Sequence, residues 1–299
     1  MIEIAKTMVP AQIQETLSEY FGIQKGESFR ILSSKPLGGG SINEVYHLST
    51  TVGDFCLKYN SSEAFPKMFE TEALALKLLS KPGDIRVPNV IFHSNLSDYS
   101  FILLEYIRSG SPIRGFFQDF GINLARLHHH KNDLFGLDYN NYMGSLPQNN
   151  CYHAAWVDFF IEERLDKQVR QAVQNGLLDE KGIKLFERLY PALYEILPEE
   201  PPCLVHGDLW SGNFIVSEKG RACLIDPAAY YGNREVDIAM STLFGGFDKD
   251  FYQAYHEEYP LIPGWEERLE IYNLYPLLIH LNLFGQSYLG SILSTLGRF

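Results

Sequence analysis

The chain has 299 residues, 45% hydrophobic and 21% charged, which is the make-up of a globular protein long enough to fold into two packed units. Its 37 acidic residues against 25 basic ones give a formal net charge of −12, and no lysine/arginine run offsets it, which speaks against a nucleic-acid partner. Residues 1–21 mix Glu, Lys and Gln into their apolar positions, unlike a signal peptide, and the apolar stretch 274–284 is short and carries Pro276, His280 and Asn282, unlike a membrane span. The four cysteines, Cys56, Cys151, Cys203 and Cys223, form no C-x-x-C pair and stand beside no ligand-like histidines, so reduced thiols in a cytoplasmic protein are expected.

The first third reads as strands around one strong helix. Residues 30–33 form a short strand that runs into the turn Gly38-Gly39-Gly40-Ser41. Residues 44–48 alternate as a strand, Thr51-Val52-Gly53-Asp54 turns the chain, and residues 55–59 return. A helix over 64–80 is stopped by Lys81-Pro82-Gly83. Strands over 87–93 and 101–107 follow, the second apolar enough to be central. Arg108-Ser-Gly-Ser-Pro112 then breaks the pattern and marks a hinge, dividing the chain into residues 1–107 and 108–299. The remainder has helical apolar spacing over 116–129, 156–175, 181–196, 236–243, 249–259 and 265–283, with a β interruption over 203–225. The expected fold class is α+β, a small antiparallel sheet with one key helix followed by a larger, mainly helical part.

The chemistry concentrates in Leu204-Val205-His206-Gly207-Asp208-Leu209-Trp210-Ser211-Gly212-Asn213. An apolar strand delivers a His-Gly-Asp turn, and Asn213 follows Asp208 by the D-x-x-x-x-N spacing of kinase catalytic loops. There the Asp takes the proton of the attacking hydroxyl and the Asn helps hold Mg²⁺. A tight hairpin follows and ends on Asp226-Pro227-Ala228, which places a second oxygen ligand for Mg²⁺ beside Asn213. Asp237 opens a helix and is expected to cap it or to brace the catalytic loop.

The N-terminal part offers a phosphate grip. Glycines let backbone N–H groups approach phosphates closely, although Gly38-Gly39-Gly40-Ser41 is neither a full G-x-G-x-x-G nor a Walker A sequence. Lys58 stands where a kinase lysine reaches the α/β-phosphates. Its carboxylate partner is Glu70 or Glu72. At about 100° per residue Glu72 falls on the apolar stripe with Phe65, Met68, Phe69, Leu76 and Leu79. A buried unpaired charge costs several kcal/mol, so Glu72 is the expected partner. Glu105 and Ile107 end the central strand, either as the hinge that meets adenine through its backbone or as a simple strand end. The run His128-His129-His130 has no Cys or carboxylate company in sequence and reads as a solvated helix end.

In this order the pieces resemble the fructosamine/ketosamine kinase family, a branch near the aminoglycoside phosphotransferases and choline kinases. The resemblance rests on His206-Gly-Asp-Leu-Trp-Ser-Gly-Asn213, Ile225-Asp-Pro-Ala-Ala-Tyr-Tyr-Gly232, Phe244-Gly-Gly-Phe247, Gly144-Ser-Leu-Pro-Gln148 and Trp156-Val-Asp-Phe-Phe-Ile-Glu-Glu-Arg164. It implies a protein-kinase-like two-lobed fold, ATP and Mg²⁺ as cofactors, and Asp208 as base toward a sugar hydroxyl, at the 3-position, of a ketosamine. Phosphorylation would destabilise the adduct and free the amine. Trp210, Trp265, His280 and Asn282 are candidates for the acceptor side, each equally able to be core. Ser41 stands where some relatives carry a cysteine that links two chains, so a monomer without that redox switch is expected. Leu283 replaces an expected polar residue, which leaves the sugar and the amine open.

Three rivals share parts of this pattern. A protein kinase needs a long activation segment, and only ten residues separate Asp226 from Asp237. An aminoglycoside or choline kinase would share the ATP machinery and differ in the helical part. A nucleotide-binding pseudokinase would have lost base or metal ligands, and Lys58, Asp208, Asn213 and Asp226 are all present.

Overall fold

The computed structural model describes residues 9–38 and 42–299. Among the described residues the first helix is α1 (Ala11–Tyr20), which widens into a π turn at Phe21–Lys25 that Gly26 ends in the left-handed region. Five antiparallel strands follow: β1 (Ile31–Pro36), β2 (Glu44–Thr50), β3 (Gly53–Ser61), β4 (Val90–Asn95) and β5 (Tyr99–Glu105), in the spatial order β1-β2-β3-β5-β4. Alternate residues of a strand face opposite sides of its sheet, and β5 uses both sides. Phe101 and Leu103 pack with Ile13 and Leu17 of α1, whereas Ile102 and Leu104 pack with Phe69, Leu76 and Leu79 of helix α2 (Met68–Ser80). Covered on both faces, β5 is buried from Ser100 to Leu104, which explains its unbroken apolar run. Helix α2 starts at Met68 rather than at 64, because Pro66 and the left-handed Lys67 (φ 63°) turn the chain into it.

The rest is mainly helical. Helix α3 (Phe116–Leu127) packs on a later helix, residues Lys249–Glu258, and is followed by the hairpin β6 (Asn141–Met143) and β7 (Leu146–Gln148). Helices α4 (Trp156–Phe159) and α5 (Asp166–Gln174) are joined through a π segment, Phe160–Leu165, so the expected helix over 156–175 is a single rod with one widened turn. Helix α6 (Glu180–Ile196) leads to two small sheets, β8 (Cys203–Val205) with β11 (Tyr230–Gly232), and β9 (Phe214–Val216) with β10 (Ala222–Leu224). Helices α7 (Glu235–Met240), α8 (Lys249–Glu258), α9 (Trp265–Tyr272), α10 (Leu274–Phe284) and α11 (Leu289–Leu296) complete the chain. The helix expected over 265–283 is broken at Asn273, whose side-chain amide donates to Thr242 Oγ1. Helix α7 is anchored from both sides: Arg268 of α9 forks onto Glu235 at 2.6 and 2.7 Å, and Arg234 forks onto Glu200.

The three core clusters do not follow the lobe division one to one. One lies wholly in the N-terminal sheet with α1, one wholly in the helical part, and one joins α2 and β5 to α3, β10 and α8. Each fully buried leucine in them contributes about 1.5–3 kcal/mol. The fold is thus α+β and two-lobed, with a cleft between the sheet and the helical part. None of the helices among the described residues is long and apolar enough to cross a membrane.

Candidate active site

The cleft encloses about 570 Å³. Strand β3 supplies Lys58, buried to 6% exposure, and helix α2 supplies Glu72 at 2.6 Å from its ammonium. The stripe argument therefore selects the right carboxylate, since Glu70 makes no ion pair with Lys58. Lys58 also pairs with Asp226. Burial alone would lower the lysine, but the two carboxylates outweigh it and the net direction is up, so the ammonium stays charged at any working pH.

The catalytic turn follows β8. Gly207 is left-handed (φ 82°), and a Cβ there would stand 2.2 Å from the Ala228 carbonyl oxygen. Only glycine lets these two segments meet. Gly207→Ala is expected to push the turns apart, lowering the melting temperature by several degrees and turnover together; a variant with the wild-type values of both would overturn this. His206 N and Gly207 N donate to the Asp237 carboxylate at 2.7 and 2.9 Å, so Asp237 braces the loop backbone, as expected. Burial alone would raise Asp237, but the hydrogen bond and charge of His128, the His206 charge and the Gly207 N–H carry the net direction downward. His206 Nε2 donates to the Ile225 carbonyl at 3.0 Å, linking the catalytic turn to the residue just before Asp226.

Asp208 sits at the floor of the cleft. Burial, reinforced by the charges of Asp226 and Asp237, pushes its carboxyl up to about 7, against the pull of the Asn213 hydrogen bond. Asn213 Nδ2 donates to Asp208 Oδ2 at 2.9 Å and to the Asp208 carbonyl at 2.8 Å. The amide nitrogen is thereby spent, leaving Oδ1 as a hard oxygen ligand. Asp226 adopts φ 54°, a region non-glycine residues avoid, and its side chain is 46% exposed. An amide oxygen and a carboxylate side by side are a donor set that suits Mg²⁺.

The remaining sequence candidates divide. Gly38 lines the cleft, whereas Gly39, Gly40 and Ser41 lie outside the described residues. Glu105 and Ile107 also line it, but the Glu105 carboxylate is committed to Arg86 and Asn89, which leaves backbone groups as what the hinge can offer. The Ile107 N–H has no acceptor among the described residues. Trp210 and His280 reach the cleft. Burial lowers His280, and its Nδ1–H donates to the Pro276 carbonyl at 2.7 Å, so Nε2 is an acceptor. Trp265 and Asn282 do not line the cleft. Trp265 packs against the core at the start of α9, and Asn282 donates to Gln168 of α5 at 3.0 Å. His128 also departs from expectation. It is fully buried, bonded to Tyr255 Oη at 2.7 Å and to Asp237 at 3.2 Å, because α3 ends inside the packing of α7 and α8. His129 stacks on Tyr259, and His130 meets Asp84 near the surface.

A lysine–glutamate pair facing an aspartate, asparagine, aspartate triad across a hinge defines a phosphotransferase of the protein-kinase-like class. Comparison with known proteins narrows this. The model of the fructosamine kinase family matches residues 12–299. The chain is 37% identical over 278 residues to a probable ketoamine kinase of Synechocystis sp., covering 92% of each. It is 36% identical over 295 residues to the chloroplastic protein-ribulosamine 3-kinase of Arabidopsis thaliana, covering 97% of this chain and 89% of that one. A crystal structure assigned as a fructosamine-3-kinase from Haemophilus somnus superposes with a TM-score of 0.85 at 32% identity, covering 94% of this chain and 96% of that one. The chain belongs to the fructosamine kinase family and is a small-molecule kinase.

Proposed function

We propose that the protein transfers the γ-phosphoryl group of ATP to a sugar hydroxyl, at the 3-position, of a ketosamine, and so promotes release of the amine. The observation that carries the transfer is the convergence of Lys58, Asp208, Asn213 and Asp226 on one cleft. The names of the relatives support the acceptor class. Residues 1–107 would carry the nucleotide and residues 108–299 the base and the acceptor. The backbone of Glu105 to Ile107 would meet adenine, and Lys58, held by Glu72, would grip the α/β-phosphates together with the glycine-rich turn. Asn213 and Asp226 would hold Mg²⁺, which neutralises charge on the phosphate oxygens when bound. Asp208 accepts the hydroxyl proton as the new O–P bond forms, and the β–γ bridging bond breaks to release ADP. Trp210 and His280 would contact the acceptor. A cytoplasmic setting accords with four unpaired cysteines and is part of this reading.

The test is ADP release with Mg·ATP over fructosyl-, ribulosyl- and erythrulosyl-lysine, choline and an aminoglycoside. Turnover confined to the ketosamines is expected; turnover only on choline or the aminoglycoside would replace the acceptor, and none at all with ATP still bound would favour a pseudokinase. Lys58→Met is expected to lower kcat/KM for ATP by roughly 10²-fold or more, on the scale of losing one preorganised cationic donor. ATP kinetics equal to wild type would remove Lys58 from the phosphate site.

A further inference from the structure

The segment that follows Asp226 is held from behind by a buried polar chain outside the catalytic loop. Asn141 and Gln148 face each other across the β6–β7 hairpin. Asn141 Nδ2 donates to the Ala229 carbonyl at 2.9 Å, and Gln148 Nε2 donates to the Ala228 carbonyl at 3.0 Å. The two side chains are also tied to each other, Gln148 Nε2 donating to Asn141 Oδ1 at 2.8 Å. Behind them Tyr275 Oη donates to Gln148 Oε1 at 2.9 Å, and Asn150, itself bonded by Arg164, donates to Asn141 Oδ1. Asn141, Gln148 and Asn150 are exposed by 3% or less.

This arrangement exceeds what the hairpin itself needs. Two buried amides are committed to consecutive carbonyls, two and three residues past a carboxylate held at φ 54°. The same segment touches the catalytic turn from the other side, with Ala228 N donating to the His206 carbonyl at 3.0 Å. The hairpin is itself fixed to the N-terminal part, since Tyr142 Oη donates to the Pro66 carbonyl just before α2. A buried, interlocked amide pair has few alternative arrangements, because a shift leaves a polar group unpaired.

We propose that Gln148 and Asn141 are positioning residues for phosphoryl transfer. They fix the backbone after Asp226, and through it the placement of the Asp226 carboxylate relative to Asp208. The inference rests on the reading of Asp226 as a metal ligand and is independent of the acceptor. Supporting groups of this kind commonly tune a metal site by roughly 10–100-fold.

The experiment measures Mn²⁺ affinity in the presence of ADP by electron paramagnetic resonance, alongside turnover on fructosyl-lysine, for wild type, Gln148→Met and Tyr275→Phe. Gln148→Met is expected to weaken Mn²⁺ and lower kcat, each by roughly 10-fold or more, with KM for the acceptor held within about threefold. Tyr275→Phe removes only the outer support and should shift both in the same direction by a smaller factor, which keeps the test open if the first variant folds poorly. Leu193→Ala, a core truncation in α6, serves as the control for mere loss of stability and should leave Mn²⁺ affinity unchanged. Wild-type Mn²⁺ affinity in both network variants, or an equal loss in Leu193→Ala, would overturn the proposal. If wild type binds Mn²⁺ with ADP but fails on fructosyl-lysine while the variants bind it more weakly, the acceptor is wrong and the positioning role stands.

Discussion

Asp208→Asn is expected to lose turnover by roughly 10²–10⁴-fold, the usual worth of a positioned general base, while the folded protein becomes more stable. The two effects have one cause. The Asp208 carboxyl is held at about 7 in the folded protein because burial opposes its ionisation, whereas in the unfolded chain it ionises near 4. Between these values the folded state binds a proton that the unfolded state has released. Stability from this group therefore falls as pH rises from about 4 to 7 and stays low above that. Asparagine does not titrate, and it keeps an oxygen for the Asn213 amide, which donates to Asp208 Oδ2. The gain over wild type should be small at pH 5 and largest at pH 8, at about 1–2 kcal/mol once contact with the solvent of the cleft is allowed for. For a chain of this size that is a rise of roughly 2–3 °C in melting temperature, measured without nucleotide or Mg²⁺. A variant keeping a tenth of wild-type turnover would remove Asp208 as the base. No pH-dependent gain in melting temperature would show that the carboxylate is not strained by burial.

Much of the site was legible because its chemistry depends on local spacing. Five residues from Asp208 to Asn213 and a hairpin ending on Asp226 are short-range features, written in the order of neighbouring residues. Choosing Glu72 over Glu70 needed only helical geometry and the cost of an unpaired buried charge. What the sequence hid depends on which surfaces meet. His128 opens a polar-looking histidine run, yet α3 carries it into the packing of α7 and α8, where Asp237 and Tyr255 receive it. Trp265 and Asn282 lie on helices whose apolar faces were visible but whose neighbours were not. The break at Asn273 goes with Pro276, which has no N–H for the Tyr272 carbonyl, a signal that apolar spacing alone passes over. The amides of Asn141 and Gln148 look like ordinary loop residues until the hairpin is seen against Ala228 and Ala229. Nothing in composition separates a solvated Gln from a buried one.

Asp237→Ala is expected to be the most damaging single substitution for the fold, at about 3–5 kcal/mol, the range for removing one partner of a buried charged cluster. Asp237 is fully buried and receives three groups: His206 N, Gly207 N and the His128 ring. Alanine strands two backbone donors and an imidazole with no water to replace the carboxylate. Asparagine keeps one acceptor oxygen and should cost clearly less, so the order wild type, Asp237→Asn, Asp237→Ala is the expected ranking in chemical denaturation. Activity should fall with stability in Asp237→Ala, because the donors it strands are the backbone of the catalytic turn. If Asp237→Ala instead unfolds at the wild-type midpoint, the brace contributes nothing to the fold. If it unfolds early but keeps full turnover while folded, Asp208 must be held by the contacts of Asn213 and Ala228 alone. A chain marginal by typical standards, with about 5–15 kcal/mol in hand, can lose a large part of that reserve at this one carboxylate.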